Sequence, residues 1–168
     1  MEKASRRIGE ILIAKGFVTE AQLHDALMEQ KVSEKFVGMI LKDKGAITDH
    51  DLMDALAEQF NIPLIDMRSQ YIDMELARKF SSALIVDHKC FPLKAEENSV
   101  TFAIINPLDM IALSKMDEEA SPRSVQHVLV TEADMNEVID QYRKYVSQSI
   151  QRLLKRKPID GGQTGSQT

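Results

Sequence analysis

An arginine and two glycines near the start of the chain have the types and spacing to bind an anion or a flat ring. Arg7 carries a guanidinium group, which can pair with two oxygens of a phosphate. Gly9 follows it, and Gly38 stands 29 positions after Gly9. If both glycines lie in the first turn of a helix, a ring can lie against the backbone. Free amide groups there can also hold an anion, helped by Arg6 or Arg7.

The same glycines have a simpler interpretation. Glycine inside a helix is less favourable than alanine by about 1 kcal/mol, so it needs a reason from packing or from a ligand. A glycine also lets two helices cross closely. At Gly9 and Gly38, packing and ligand approach therefore both stay open.

Both glycines belong to an internal duplication. When residues 7–30 are aligned with residues 36–59, at an offset of 29, 12 of the 24 pairs are identical, and the spacer is the five residues 31–35. The identical pairs include Gly9/Gly38, Leu12/Leu41, Gly16/Gly45, Leu23/Leu52, Leu27/Leu56 and Gln30/Gln59. An internal repeat of this size is a better guide to the fold than any local motif.

Each repeat predicts two short helices joined at a glycine. In the first repeat Ile8, Ile11 and Leu12 share one helical face, Gly16 supplies a left-handed cap, and Thr19 begins the next helix. The second repeat has the same order at Val37, Ile40, Leu41, Gly45 and Thr48. Buried stripes are expected on the second helices at Leu23, Ala26 and Leu27, and at Leu52, Ala55 and Leu56.

Two repeats are too few for a solenoid, which needs three or more units to bury its core. We therefore expect a compact four-helix unit with pseudo-twofold symmetry. Because its two halves present similar groups, such a unit suits a partner that is itself twofold.

After residue 60 the pattern changes to a mixture of strands and helices. Residues 89–95 and 99–105 predict an antiparallel hairpin, and residues 125–130 predict a third strand. A long helix should begin at Glu132 and carry an approximately heptad stripe to Arg156. The predicted fold class is α+β. We expect a helical tandem-repeat subdomain at residues 1–60, a small α/β subdomain with about three strands at residues 61–145, and a helix extension with a flexible tail at residues 146–168.

Composition excludes several classes of protein. With 43% hydrophobic and 28% charged residues the chain is an ordinary globular protein. No apolar run approaches the roughly 18 residues that span a bilayer, and the start lacks a signal-peptide core. The single cysteine, Cys90, fits a reducing compartment, so we expect a cytoplasmic protein without membrane insertion. A net charge of −5 argues against nucleic acid as a partner.

No catalytic constellation stands out. The G-x-x-x-x-G-K-[ST] phosphate loop is missing from the sequence. The four histidines, His24, His50, His88 and His127, lack the spacing of metal ligands. We therefore expect neither an enzyme nor a protein that needs a metal or a cofactor.

The paired motif resembles a known family. An arginine, an apolar residue and a glycine, followed by Leu, Gly, Leu, Leu and Gln, occur at matching spacing in two copies, with the first residue changed in the second copy. This is similar to the N-terminal domain of type II secretion and type IV pilus ATPases, whose cyclic di-GMP-binding members are called the MshEN type. The resemblance continues through residues 61–66, 90–93 and 105–109 to about Tyr145. It implies a regulatory domain that binds cyclic di-GMP across both motifs and works with secretion or pilus assembly proteins.

The resemblance also implies which residues bind the ligand. In the first motif they are Arg7, Ile8, Gly9, Leu12, Gly16, Leu23, Leu27 and Gln30. In the second motif they are Phe36, Val37, Gly38, Leu41, Gly45, Leu52, Leu56 and Gln59. Phe36 stands where the first motif has Arg7. Its ring can stack on a guanine but cannot pair with a phosphate.

Asp109 is a further candidate, because its carboxylate could accept hydrogen bonds from a guanine edge. It also follows Pro107. Capping of a helix that starts near Met110 is the favoured interpretation.

Two functions of different classes remain. The first is a cyclic di-GMP sensor whose signal leaves through the long helix. The second is a protein–protein interaction module of the secretion or pilus machinery that binds no nucleotide and uses Phe36 in its surface. For the outer half of the long helix, a homodimer seam, a connector, a partner-binding helix and a plain extension all stay open.

Overall fold

The computed structural model describes residues 7–156 and has an α+β fold, as the sequence predicts. The helical repeats come first and a three-stranded sheet follows. A short 3-10 helix at Met67–Ser69 and a π-helical turn at Ala83–Asp87 connect the two. The flexible tail expected after the long helix lies outside the described residues, and the subdomain limits at residues 60 and 145 stay a prediction.

The two repeats form four helices, which confirms the predicted helix pairs. They are α1 (Ile8–Ala14), α2 (Glu20–Gln30), α3 (Val37–Asp43) and α4 (Asp49–Phe60). The hydroxyl oxygen of Thr19 accepts the N–H of Gln22 at 3.2 Å, and that of Thr48 accepts the N–H of Asp51 at 3.1 Å. Both threonines therefore cap their helices. Gly16 and Gly45 have φ angles of +73° and +71°, the left-handed region that glycine enters without a steric penalty.

The helices pack across the repeats. Helix α1 packs against α4, and α2 packs against α3. Lys15 of the first repeat pairs with Glu58 at 3.1 Å, and the equivalent Lys44 pairs with Glu29 at 2.8 Å. Since each of these four residues lies 29 positions from its counterpart, the two ion pairs obey the same pseudo-twofold symmetry. The side chains of Leu12 and Leu41 fill the core between the repeats, with 0% and 1% exposure.

The second part of the chain builds a sheet covered by helices. Its elements are α5 (Met74–Ala77), β1 (Phe91–Ala95), β2 (Ser99–Ile104), α6 (Met110–Ala120), β3 (Ser124–Leu129) and α7 (Glu132–Lys155). The strand order is β1-β2-β3. Strand β1 is antiparallel to β2, as the hairpin pattern predicts, and β3 is parallel to β2. The parallel pair requires the crossover that α6 provides.

Helix α7 begins at Glu132, as predicted, and Thr131 caps it by accepting the N–H of Asp134. Its inner half buries Met135, Val138, Ile139 and Tyr142 in the core. Its outer half exposes Ile150, Leu153 and Leu154. The helix therefore extends beyond the part of the fold that it stabilises.

Two predicted core positions of the first repeat differ. Leu23 is only partly buried, although it packs against the core. Leu27 was expected in a buried stripe, yet its side chain is 41% exposed, whereas the equivalent Leu56 is 8% exposed. Leu23 and Leu27 both line a large cavity, and the side chain of Leu27 is the less covered of the two. Within residues 7–156, no helix combines the length and the apolar character needed to cross a membrane.

Candidate ligand-binding site

A cavity of about 1070 Å³ lies beside the helical repeats and reaches the α+β part of the chain. We call it the repeat cavity. Seven residues of the first repeat line it, and their seven counterparts 29 positions later line it as well. The pairs are Arg7/Phe36, Ile8/Val37, Gly9/Gly38, Glu10/Met39, Leu23/Leu52, Leu27/Leu56 and Gln30/Gln59. The cavity thus has two halves of equivalent construction.

The first lining residue of each repeat, Arg7 or Phe36, has nearly the same backbone conformation. Arg7 precedes α1 with φ −66° and ψ 147°, and Phe36 precedes α3 with φ −68° and ψ 146°. Their side chains therefore leave the backbone from equivalent points. The Arg7 side chain has no hydrogen-bond or ion-pair partner among residues 7–156, and the Phe36 side chain is 48% exposed. The lining therefore has a cation in one repeat and an aromatic ring at the equivalent position of the other.

The glycines allow a leucine of the same repeat to lie directly over the helix backbone. A Cβ atom added at Gly9 would lie 2.8 Å from Cδ2 of Leu23, and one added at Gly38 would lie 2.5 Å from Cδ1 of Leu52. Both distances are too short for carbon atoms. The packing interpretation of the glycines is therefore confirmed. Since both glycines also line the cavity, packing and ligand approach are compatible here.

The second repeat adds three charged lining residues, Lys42, Asp43 and Asp49, and Lys35 of the spacer and Glu132 of α7 add two more. Lys42 lies with its Nζ atom 3.0 Å from Oε2 of Glu132 and 3.6 Å from Oδ1 of Asp49. Nζ of Lys35 lies 2.7 Å from Oδ2 of Asp43. All five of these residues line the cavity.

Electrostatic effects keep the Lys42–Glu132 pair ionised. Burial lowers the pKa of Lys42, but its hydrogen bond to Glu132 and the charges of Glu132 and Asp49 raise the pKa above its ordinary value. Hydrogen bonds from Lys42 and Lys89 lower the pKa of Glu132, against a smaller opposing effect of burial. A partly buried cation therefore faces the cavity with its charge retained.

The α+β part closes one side of the cavity. Ile105, Asn106 and Leu108, in the loop between β2 and α6, line it together with Glu132 at the start of α7. The Asn106 side chain accepts the N–H of Leu108 at 2.9 Å, which fixes the loop. Because this loop is far from the repeats in sequence, repeat periodicity could not identify it.

Twelve of the seventeen candidate residues line the repeat cavity, and five do not. Leu12 and Leu41 are core residues, while Gly16 and Gly45 form the turns between helices. Asp109 caps α6 by accepting the N–H of Ala112 at 2.9 Å, which confirms the capping interpretation. Eleven other lining residues were not predicted from the sequence: Glu10, Lys35, Met39, Lys42, Asp43, Asp49, Met53, Ile105, Asn106, Leu108 and Glu132.

Asp109 lines a neighbouring cavity of about 150 Å³. This smaller cavity shares Ile105 and Asn106 with the repeat cavity and also contains Cys90. Burial, with a smaller contribution from the charge of Asp109, raises the pKa of the Cys90 thiol to about 12. The thiol is therefore protonated at neutral pH and is a weak nucleophile. Residues 7–156 contain no group of three or more His, Cys, Asp or Glu side chains that could hold a metal ion.

Comparisons with known proteins address the fold and the family. The family model of the MshEN domain matches residues 60–156, which begin at the last residue of α4 and include the sheet and α7. Comparison with curated proteins found no match.

Solved structures share the fold. A structure of MshE with cdg has a TM-score of 0.74 and 23% sequence identity, and the similarity covers 82% of this chain and 99% of that chain. A structure of the N-terminal domain of XpsE has a TM-score of 0.65 and 19% identity, covering 84% of this chain and 98% of that chain. Since the family model matches more than half of the 168 residues, the chain belongs to the MshEN domain family.

Proposed function

We propose that the protein is a regulatory domain of a type II secretion or type IV pilus system and binds cyclic di-GMP in the repeat cavity. The observation that carries this proposal is the construction of the cavity from seven equivalent positions of each repeat. Cyclic di-GMP has two guanines and two phosphates related by a twofold axis. A cavity with two equivalent halves matches that symmetry.

The size and the character of the cavity support the same ligand. Its volume of about 1070 Å³ is slightly above the range of roughly 300–1,000 Å³ for small-molecule sites, which suits a large dinucleotide. Leu23, Leu27, Leu52 and Leu56 supply apolar surface on which flat rings can pack. The fold neighbour MshE has been solved with cdg, an abbreviation of cyclic di-GMP.

The two ends of the cavity would treat the ligand differently. The Arg7 guanidinium can pair with a phosphate or with the acceptor atoms of a guanine. The Phe36 ring can stack on a guanine, and the apolar neighbours Val37 and Met39 extend that surface. Direct contact between Asp109 and the ligand remains a prediction, because its carboxylate already caps α6.

A second candidate function is protein–protein interaction. The outer half of α7 exposes Ile150, Leu153 and Leu154, and an exposed apolar helix face favours binding to another protein. This surface lies apart from the repeat cavity, whose lining contains none of these three residues. A homodimer or a secretion or pilus assembly protein could use it in addition to ligand binding. A cytoplasmic location stays a prediction.

Isothermal titration of the purified chain with cyclic di-GMP tests the proposal. We expect saturable binding near one ligand per chain, and no binding of GTP at the same concentration. The Arg7→Ala variant should lose roughly 1.5–3 kcal/mol of binding free energy, because a charge-assisted contact is removed. Arg143→Ala is the matched control, since Arg143 is an exposed arginine on α7 that does not line the cavity.

Absence of binding at high micromolar ligand, with a folded sample, would refute cyclic di-GMP as the ligand and leave the interaction function. Equal losses in the Arg7→Ala and Arg143→Ala variants would refute the location of the site. Circular dichroism of each variant establishes that the sample is folded.

A further inference from the structure

One side of the repeat cavity contains an ion-pair cluster that joins the repeats to α7. Besides its pair with Lys42, Glu132 places Oε1 at 3.1 Å from Nζ of Lys89. The backbone N–H of Glu132 donates to Oδ2 of Asp49 at 2.7 Å. Lys89 also donates to the side-chain oxygen of Asn136 in α7 at 3.1 Å. The cluster therefore connects α3, the start of α4, the segment before β1 and the start of α7.

Within this cluster Lys42 is the cation that a ligand can reach. Lys42, Asp49 and Glu132 line the repeat cavity, whereas Lys89 lines the smaller one. The Lys42 side chain is only 19% exposed. By contrast, Lys35 and Asp43 are 62% and 48% exposed, and such exposed pairs contribute little. Of the two lysines that line the repeat cavity, Lys42 lies in the environment where a contact with an anion is strongest.

The position of Lys42 also fills a gap in the charge distribution. The first repeat places Arg7 at its end of the cavity, and the second repeat has Phe36 at the equivalent position. The residue equivalent to Lys42 in the first repeat is Ile13, which does not line the cavity. The half without an arginine therefore has its own cation, at a different site and with a flexible side chain.

We propose that Lys42 binds one phosphate of the ligand in the second half of the cavity and exchanges its contact with Glu132 for that phosphate. This inference rests on the proposed binding of cyclic di-GMP. Glu132 keeps Lys89 as its partner and keeps the backbone bond to Asp49, so its carboxylate stays paired. The side-chain link from α3 to the first residue of α7 is broken when the ligand binds. Ligand occupancy is thereby coupled to the start of the long helix.

The exchange makes a reciprocal prediction. If Glu132 competes with the ligand for Lys42, removing the Glu132 carboxylate must tighten ligand binding. Removing Lys42 must weaken it. Once Lys42 is absent, Glu132 has nothing to compete for, so its replacement must have almost no effect. Simple repulsion between Glu132 and an anionic ligand would persist without Lys42, which separates the two explanations.

The test is titration of four chains with cyclic di-GMP: wild type, Lys42→Gln, Glu132→Gln and the double variant. We expect Lys42→Gln to weaken binding by roughly tenfold or more, the effect of one lost charge-assisted hydrogen bond. Glu132→Gln should tighten binding by roughly threefold to tenfold, the worth of one partly exposed competing ion pair. In the Lys42→Gln background the Glu132 replacement should change the affinity by less than about twofold if the two residues are coupled.

Two outcomes of this titration would refute the role of Lys42 without refuting the proposed function. One is wild-type affinity in Lys42→Gln, and the other is equal tightening by Glu132→Gln with and without Lys42. If Lys42→Gln does not fold, Glu132→Gln alone decides, because unchanged or weaker binding refutes the competition. Failure of the wild-type chain to bind cyclic di-GMP refutes the proposed function instead.

A matched control comes from the same helix end. Lys44 pairs with Glu29 at 2.8 Å and does not line the repeat cavity, so Lys44→Gln should bind like the wild type. Lys42→Arg keeps the charge and should retain most of the affinity that Lys42→Gln loses. Loss of binding in Lys44→Gln equal to that in Lys42→Gln would show a general charge effect and refute the specific contact.

Discussion

Replacing Gly38 by alanine should alter the shape of the ligand site while leaving the fold intact. The new Cβ atom would lie 2.5 Å from Cδ1 of Leu52, which is too close, and 3.7 Å from Cδ2. Leu52 is 3% exposed, and its side chain lines the repeat cavity. Because open space adjoins only its cavity side, we expect the leucine to turn into the cavity.

The magnitudes of the two effects on stability nearly cancel. Extra carbon atoms in a packed core cost roughly 1–3 kcal/mol, and here the low end applies because one flexible side chain with adjoining space absorbs the clash. Alanine is favoured over glycine in a helix by up to about 1 kcal/mol. The free energy of unfolding should therefore change by less than about 1 kcal/mol. Binding of cyclic di-GMP should weaken by tenfold or more, since about 1.4 kcal/mol of lost contact is sufficient.

Gly45→Ala is the control with the opposite expectation. Gly45 has φ +71°, and an added Cβ atom would meet no heavy atom within 4 Å. Alanine in this left-handed conformation costs roughly 1–2 kcal/mol, but Gly45 does not line the cavity. Stability should fall and affinity should stay at the wild-type value. Urea denaturation and isothermal titration measure the two quantities.

Binding of cyclic di-GMP by Gly38→Ala as tightly as by the wild type would refute this prediction. That result would mean that Leu52 does not enter the space of the ligand. A decrease of more than about 3 kcal/mol in the free energy of unfolding of Gly38→Ala would also contradict the prediction, because such a cost would show that Leu52 cannot move.

Two other predictions concern stability. Thr48→Ala should lower the free energy of unfolding by about 1 kcal/mol, because the N–H of Asp51 loses its partner, and Thr19→Ala should do the same in the first repeat; urea denaturation without any loss in either variant would contradict the capping role. Glu132→Gln should be less stable than the wild type at pH 7, and this difference should shrink as the pH falls below 4.5. The pKa of Glu132 is lowered in the folded protein, so its contribution is present above its ordinary value of 4.5 and is lost as the pH falls through the folded value. A difference that does not depend on pH would show that the carboxylate charge is not responsible.

The sequence predicts local structure here better than it predicts the site. Thr19 and Gly16 act within a few residues of themselves, so their types and spacing were sufficient to place the helices of the first repeat. Leu27 was misassigned to the core because helical periodicity shows which face is apolar but not whether another element covers that face. The exposed Leu27 faces the cavity instead.

The missed site residues depend on contacts between distant parts of the chain. Lys42 and Glu132 are 90 positions apart, and no pattern in either segment indicates that they meet. Ile105 and Asn106 reach the cavity only because the sheet places the end of β2 beside the repeats. Duplication identifies the symmetric part of a site, but the part built by tertiary packing has no repeat to show it.

The symmetric part of the site, built by the repeats, and the part built by tertiary packing therefore have different roles. The fourteen paired lining residues obey the symmetry of the duplication. The connection to α7 does not, since the repeat residues that Glu132 contacts, Lys42 and Asp49, both belong to the second repeat. Within residues 7–156 the lining contains three basic and four acidic side chains, so this part of the cavity is not a general binding site for anions. In the same part of the chain Arg7 is the unpaired cation of this lining, so a ligand whose second phosphate is bound by Lys42 must take that lysine from an internal carboxylate. Because Lys42 is the partly buried cation in such a pair, a symmetric ligand would produce an asymmetric response at the start of α7.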